Sequence, residues 1–179
     1  MPFHIQYLKK SLDSSHLKES IQARILESFD AYEALATPAQ KAQWIQDEML
    51  LLDEEVGEAE AKRIMQNCGR QCIGRSMLDK AIKLQKAARD LDDLLDRLNH
   101  AHIGGGKLLR KGNKIHASYD RCYCGSVSKS RLQIPLTYCH CSCGWYQQLF
   151  ETLLGKPVEV QLIDAIAHGA QTCQFVIHI

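Results

Sequence analysis

The sequence predicts an α+β protein: a helical amino-terminal layer packed on a roughly four-stranded antiparallel sheet, with one long helix between the sheet's two hairpins. Three observations carry this expectation. Through residues 1–103, apolar side chains recur at three- and four-residue steps, the helical period. Gly104-Gly105-Gly106 then punctuates the chain. Beyond it, short alternating runs flank turn residues, as they do in hairpins. Residues 1–103 are read as a helical region and 104–179 as an α+β region, together one compact domain. A chain of 179 residues that is 45% hydrophobic is sufficient for one buried core.

Each element has a local reason. From His16 to Ala36, the spacing of Leu17, Ile21, Ile25, Phe29, Tyr32 and Leu35 predicts one helix with a single apolar face. Thr37 followed by Pro38 and Gln40 predicts a capping box with proline in the first helical position. That second helix turns Ile45, Met49, Leu52 and Val56 inward and ends near Gly57. The run from Glu58 to His102 is helical in composition, with breaks expected at Gly69 and Gly74, since glycine costs up to about 1 kcal/mol relative to alanine inside a helix. Asp90 caps a further helix striped by Leu91, Leu94, Leu95 and Leu98.

Past the glycines, Gly112-Asn113 predicts a tight turn between two short strands. Gly144 to Leu154 reads as a helix closed by Gly155. In the tail, Val158, Val160 and Leu162 alternate with polar neighbours, and Phe175 to Ile179 is strand-like, giving a second hairpin.

Charge divides the chain. Residues 1–100 carry 17 acidic and 14 basic side chains, and residues 101–179 carry 4 and 8. The basic excess lies at Lys107, Arg110, Lys111, Lys114, Arg121, Lys129 and Arg131, which face only Asp120 in sequence. Without interleaved aromatics to stack on bases, this reads as a solvated hairpin face, and nucleic acid ranks last among partners. The acidic run Asp47, Glu48, Asp53, Glu54, Glu55, Glu58 and Glu60 reads as a solvated helix face rather than catalytic carboxylates. The start MPFHIQYLKKSLDSS lacks the basic-then-apolar pattern of a leader, and no segment approaches the roughly 20 apolar residues of a membrane span. A cytoplasmic protein with no membrane partner is expected, with a homodimer left open.

Five of the eight cysteines, Cys122, Cys124, Cys139, Cys141 and Cys143, fall within RCYCGSVSKSRLQIPLTYCHCSCGW. A reducing compartment disfavours a disulfide framework and favours metal binding or thiol chemistry. On extended chain, residues two apart point the same way, so Cys122 with Cys124, and Cys139 with Cys141, form a candidate thiolate quartet. Zinc is the expected metal, with an iron-sulfur cluster as the alternative. His140 would then point away from both neighbours. Cys143, next to the expected helix start at Gly144, is the candidate catalytic nucleophile, because unpaired backbone N–H groups there would lower its pKa. Cys68 and Cys72 share a helix face and can bind, oxidise or simply pack. His100, His102, His116, His168 and His178 read as surface or satisfied residues, and Gly104 to Lys107 lacks the ending of a phosphate loop.

The last quarter resembles the 4-vinyl reductase-type domain through Cys139, Gly144, Gly155-Lys156-Pro157-Val158, Gly169, Cys173 and Phe175. The whole chain, with its CGRQC and CYC…CHCSCGW elements, is also similar to aminothiazoline-carboxylate hydrolase-like proteins. The first resemblance implies an apolar ligand cavity between helices and sheet, and a cysteine-bound zinc at positions matched by Cys139 and Cys173. The third zinc position is Ala165 here, so Cys122, Cys124 or Cys141 would have to supply the missing sulfur. The expectation is thus a small-organic-ligand-binding or sensing protein with a zinc site, the alternative being a hydrolase of a cyclic amide or thiazoline-type substrate acting through Cys141, Cys143 or a metal-bound water.

Overall fold

A computed structural model describes residues 5–15, 17–130 and 132–179 of the chain. The expected helix start at His16 and the basic Arg131 lie outside the described residues. Among these, seven helices precede the sheet: α1 (Ile5–Asp13), α2 (Glu19–Leu26), α3 (Phe29–Ala34), α4 (Pro38–Val56), α5 (Glu58–Cys72), α6 (Arg75–Ala87) and α7 (Leu91–His100). Hairpin β1 (Leu108–Lys111) and β2 (Lys114–Tyr119) follows, then the short α8 (Gly125–Ser128), the long α9 (Leu136–Leu154), β3 (Glu159–Asp164) and β4 (Cys173–His178). The α+β expectation holds: the four strands are antiparallel in the order β1-β2-β4-β3, with α9 between the two hairpins in sequence.

Helix α1 was not anticipated, although buried Ile5, Leu8 and Leu12 recur at near-helical steps and seat it on α5. The single helix expected over 16–36 is two, α2 and α3. The break falls beside Ser28, whose carbonyl accepts the indole N–H of Trp44 at 3.1 Å and whose hydroxyl donates to the Glu48 carboxylate, so α4 holds this corner.

Helix α4 begins as the sequence predicts. The Gln40 backbone N–H donates to Thr37 Oγ1 at 3.2 Å, and the Thr37 backbone N–H donates to Gln40 Oε1 at 3.0 Å. Removing the hydroxyl in Thr37→Ala is expected to cost about 1 kcal/mol. Thermal unfolding should read this as a drop of roughly 2–4 °C. Asp90 likewise caps α7, accepting from the Asp93 N–H at 2.9 Å.

The acidic run is not wholly solvated. Glu48 is buried, Asp53 accepts from Thr137 Oγ1 at 2.7 Å, and Glu55 pairs with Arg24 at 2.5 Å. Their positions along α4 put them against α2, α3 and α9 as well as water.

Gly74 separates α5 from α6 as expected, but Gly69 does not break α5. Its missing side chain serves packing instead. A Cβ at Gly69 would lie 1.7 Å from the Cys141 carbonyl oxygen, and one at Gly144 would lie 1.8 Å from the Gln66 carbonyl oxygen. Helices α5 and α9 therefore cross backbone to backbone, each supplying one glycine.

The other face of α9 lies on the sheet. Ile115 and Ala117 of β2 stand opposite Ile177 and Phe175 of β4, and Val160 of β3 stands opposite Ile177, all buried. The alternation Val158, Val160, Leu162 is as predicted, with a bulge between Leu162 and Asp164. Side chains from the helices and from the strands join one hydrophobic cluster. No helix among the described residues is long and apolar enough to cross a membrane.

Candidate functional site

Where α5, α9 and the sheet converge, they leave a cavity of about 230 Å³. Seven of the eight cysteines line it, Cys143 being the exception. All eight are free thiols. Aromatic rings complete the wall: Tyr119 stacks on Tyr146 at 5.9 Å between ring centres, and Phe175 lies 5.4 Å from Tyr119. The Tyr146 hydroxyl reaches past them to donate to the Gly104 carbonyl at 3.1 Å, fixing the glycine turn at the cavity edge. That turn needs glycine, because Gly104, Gly105 and Gly106 all have positive φ and a Cβ on Gly105 would lie 2.3 Å from the Tyr119 ring.

Helix α9 begins at Leu136 directly after Pro135, eight residues before the expected start at Gly144. This corrects the geometry assumed for the second cysteine pair. Successive residues turn 100° on a helix, so Cys139 and Cys141 diverge by about 200° instead of pointing together. His140, far from opposing an extended pair, sits one turn before Cys143, with Nδ1 3.8 Å from its Sγ. Burial and nearby Lys62 lower the His140 pKa to about 4.

Cys143 loses the ground for reactivity that a helix start at Gly144 would have supplied. It lies in the third turn of α9 rather than at its start, and it is fully buried. Burial pushes its thiol up to about 12, and burial likewise raises Cys139, Cys141 and Cys173. Cys173 Sγ accepts the Ile166 N–H at 3.4 Å, which ties β4 to the turn after β3.

Cys122 and Cys124 perturb each other's ionisation, Cys122 being held high by its neighbour and by burial. Cys124 is lowered to about 6, chiefly by the neighbouring Cys122 thiol, with burial opposing and Tyr138 adding to the lowering. Cys68 and Cys72, one turn apart on α5, form a second mutually perturbing pair, with Cys68 raised and Cys72 lowered.

Among the described residues, no three Cys, His, Asp or Glu side chains are arranged to hold a metal ion. The thiols sit around a ligand-sized space as two pairs and three single groups, and the donor set does not fit the tetrahedral zinc quartet expected from Cys122, Cys124, Cys139 and Cys141, or its variant through Cys173. The aromatic lining was missed in the sequence, although Tyr138, Ser142 and Trp145 follow one another at four and three residues, a helical face begun by Pro135.

The basic hairpin is partly neutralised. Lys107 pairs with Asp120 at 2.5 Å, and Arg110 meets Asp92 of α7 at 3.5 Å.

An α+β protein with an apolar, thiol-rich internal cavity is the class that this fold and site define. The chain belongs to DUF6144, a family of unknown function whose model matches residues 7–179. No functionally curated protein matches the sequence. Among solved structures, the phenol-responsive sensory domain of the transcription activator PoxR, crystallised with phenol, is similar at a TM-score of 0.46 and 14% identity, over 80% of this chain and 75% of that one. A trafficking protein particle complex subunit 3 from Naegleria fowleri, covalently bound to palmitic acid, is similar at a TM-score of 0.45 and 10% identity, over 97% and 95%. Neither likeness bears on what this cavity holds.

Proposed function

We propose that this protein binds a small, neutral, largely apolar ring compound in the cavity between α5, α9 and the sheet, as a sensor or carrier. One observation carries the reading: among the described residues, the wall is built mainly from thiols, aromatic rings and small residues, joined by Met77 and the imidazole of His102, with no Asp, Glu, Lys or Arg. A charged ligand would lose its hydration there with no carboxylate, ammonium or guanidinium group to pair with. Size points the same way. Drug-sized ligands occupy roughly 300–1,000 Å³, whereas an apolar cavity of about 150 Å³ accepts benzene; 230 Å³ suits one or two rings.

The hydrolase alternative has weaker support, since Cys141 and Cys143 are both held as thiols by burial. Relation of the last quarter to 4-vinyl reductase-type domains is part of the same proposal, because that resemblance implies a cavity in this place.

Trp145 borders the cavity and reports on it. Titration with toluene or indole is expected to give a saturable change in tryptophan emission, with Kd on the order of 0.1 mM for a one-ring probe. Benzoate should give none. Ala167→Met, which extends a side chain into the space from the short 3-10 turn between β3 and β4, is expected to weaken indole binding at least tenfold with the far-ultraviolet circular dichroism unchanged. Equal binding of benzoate, or full affinity in the filled variant, would sink the reading.

A further inference from the structure

We infer that the sheet face turned away from α9 and the cavity binds a second copy of this chain, as a two-fold dimer in which β1 of each copy lies over β3 of the other.

One face of the sheet is covered, with Leu108, Ile115, Phe175 and Val160, one from each strand, buried toward the helices. The opposite face is open. It forms a broad groove of about 530 Å³, with Leu109 58% exposed on the β1 edge, Ile163 51% exposed on the β3 edge, and half-buried His116 and Val176 between them. A water-facing sheet surface is ordinarily polar. Leu109, Val176 and Ile163 depart from that pattern, and a covering partner would remove them from water.

Charge decides the partner. The pairing register sets Lys111, Lys114, His178 and Glu159 in one row across the four strands, and Leu109, His116, Val176 and Gln161 in the next. Alternation along each strand turns both rows to the open face. The first row is basic at the β1 edge and acidic at the β3 edge, and among the described residues Lys111, Lys114 and Glu159 have no ion-pair partner. A surface with opposite charges at its two ends complements its own copy, because a two-fold axis between β2 and β4, parallel to the strands, exchanges the ends. Lys111 of each copy then faces Glu159 of the other, and Leu109 lands on β3 between Gln161 and Ile163. The other face-to-face two-fold, across the strands, would lay the basic β1–β2 hairpin on itself, and like charges disfavour it.

Area sets the strength. Strands about 4.8 Å apart, four to six residues long at about 3.3 Å per residue, present roughly 400 Å² per copy. That is the low end of specific interfaces, so the dimer is a weak one, with Kd on the order of 50 µM.

Sedimentation equilibrium of the reduced full chain, from about 5 to about 500 µM, spans that Kd and should show monomer giving way to dimer. Lys111→Glu and Glu159→Lys, both at exposed positions near strand ends, should each weaken association about tenfold, since each reverses two symmetry-related pairs. An equimolar mixture of the two variant chains should restore it, because in the mixed dimer both pairs again join opposite charges. Zero-length carbodiimide coupling of the unmodified chain should join Lys111 to Glu159 in one peptide pair. Within a single copy these residues stand at opposite edges, three strand spacings or about 14 Å apart, so the amide reports contact between copies. A chain that stays monomeric throughout, variants with undiminished affinity, or a mixture no tighter than its components overturns the inference. Where a variant fails to fold, absence of the cross-link in the unmodified chain overturns it.

Discussion

Gly144→Ala is expected to cost about 3 kcal/mol or more, or to prevent native packing altogether. Helix propensity argues the other way, since alanine is favoured over glycine by about 1 kcal/mol inside a helix. Packing decides the sign. The new methyl group would lie 1.8 Å from the Gln66 carbonyl oxygen, roughly half a van der Waals contact, and that oxygen belongs to helix backbone that cannot rotate away. Over-packing of well-filled interiors costs typically 1–3 kcal/mol, even where flexible side chains take up the strain. Here α5 and α9 must separate as units. Gly69→Ala, 1.7 Å from the Cys141 carbonyl, should behave alike. Urea denaturation of both variants measures the loss, and a variant as stable as the parent would show that the crossing is looser than described. Because Cys68 and Cys72 reach the cavity from α5 while Cys139 and Cys141 reach it from α9, separation should also abolish indole binding.

The second large effect is a pH dependence centred on Glu48. Its carboxyl is 3% exposed, takes one hydrogen bond from Ser28, and leaves Oε1 without a partner among the described residues. Burial raises its pKa from the ordinary 4.5 to about 7, with Asp47 adding a smaller push. Between those values the folded chain holds a proton that the unfolded chain has released. Stability from this group is therefore fully present below about pH 4.5 and is lost as pH rises through about 7. At 1.36 kcal/mol per pKa unit the loss is about 3 kcal/mol.

Glu48→Gln keeps the group neutral throughout, at the cost of an amide N–H₂ placed where Oε1 has no partner, about 1 kcal/mol. It is expected to be more stable than the parent by about 2 kcal/mol at pH 8 and no more stable at pH 4. The difference between the two stability–pH curves isolates Glu48 from other titrating groups. Parallel curves would refute the raised pKa.

Local rules recovered the elements whose causes are local. Thr37, Pro38 and Gln40 specify the start of α4 within four residues, Asp90 specifies that of α7, and Gly112-Asn113 specifies the β1–β2 turn. The division of the first expected helix was invisible, because it depends on Ser28 being gripped by Trp44 and Glu48 from another helix. Gly69 was misread for the same kind of reason. Its cost inside an isolated helix is a local quantity, and the crossing with α9 that demands it is not.

The cysteines divide along the same line. Cys122 and Cys124 perturb each other's ionisation across a single intervening residue, an effect that needs only neighbours in sequence. Cys139, Cys141 and Cys143 were given the wrong periodicity, because Pro135 was not taken as a helix start and the glycine at 144 was. Two residues apart means the same side on a strand and nearly opposite sides on a helix.

By itself, then, the sequence determined the α+β class, the two hairpins, the caps of α4 and α7, and the concentration of sulfur in one region. These follow from periodicity and from bonds between residues a few positions apart. Only the tertiary structure decided that seven sulfurs line a space instead of converging on a point, and that Cys143 alone among the cysteines does not line it. Packing of α5, the Cys122–Cys124 segment, α9 and β4 around one space sets those properties, and it joins cysteines as much as 105 positions apart, from Cys68 to Cys173.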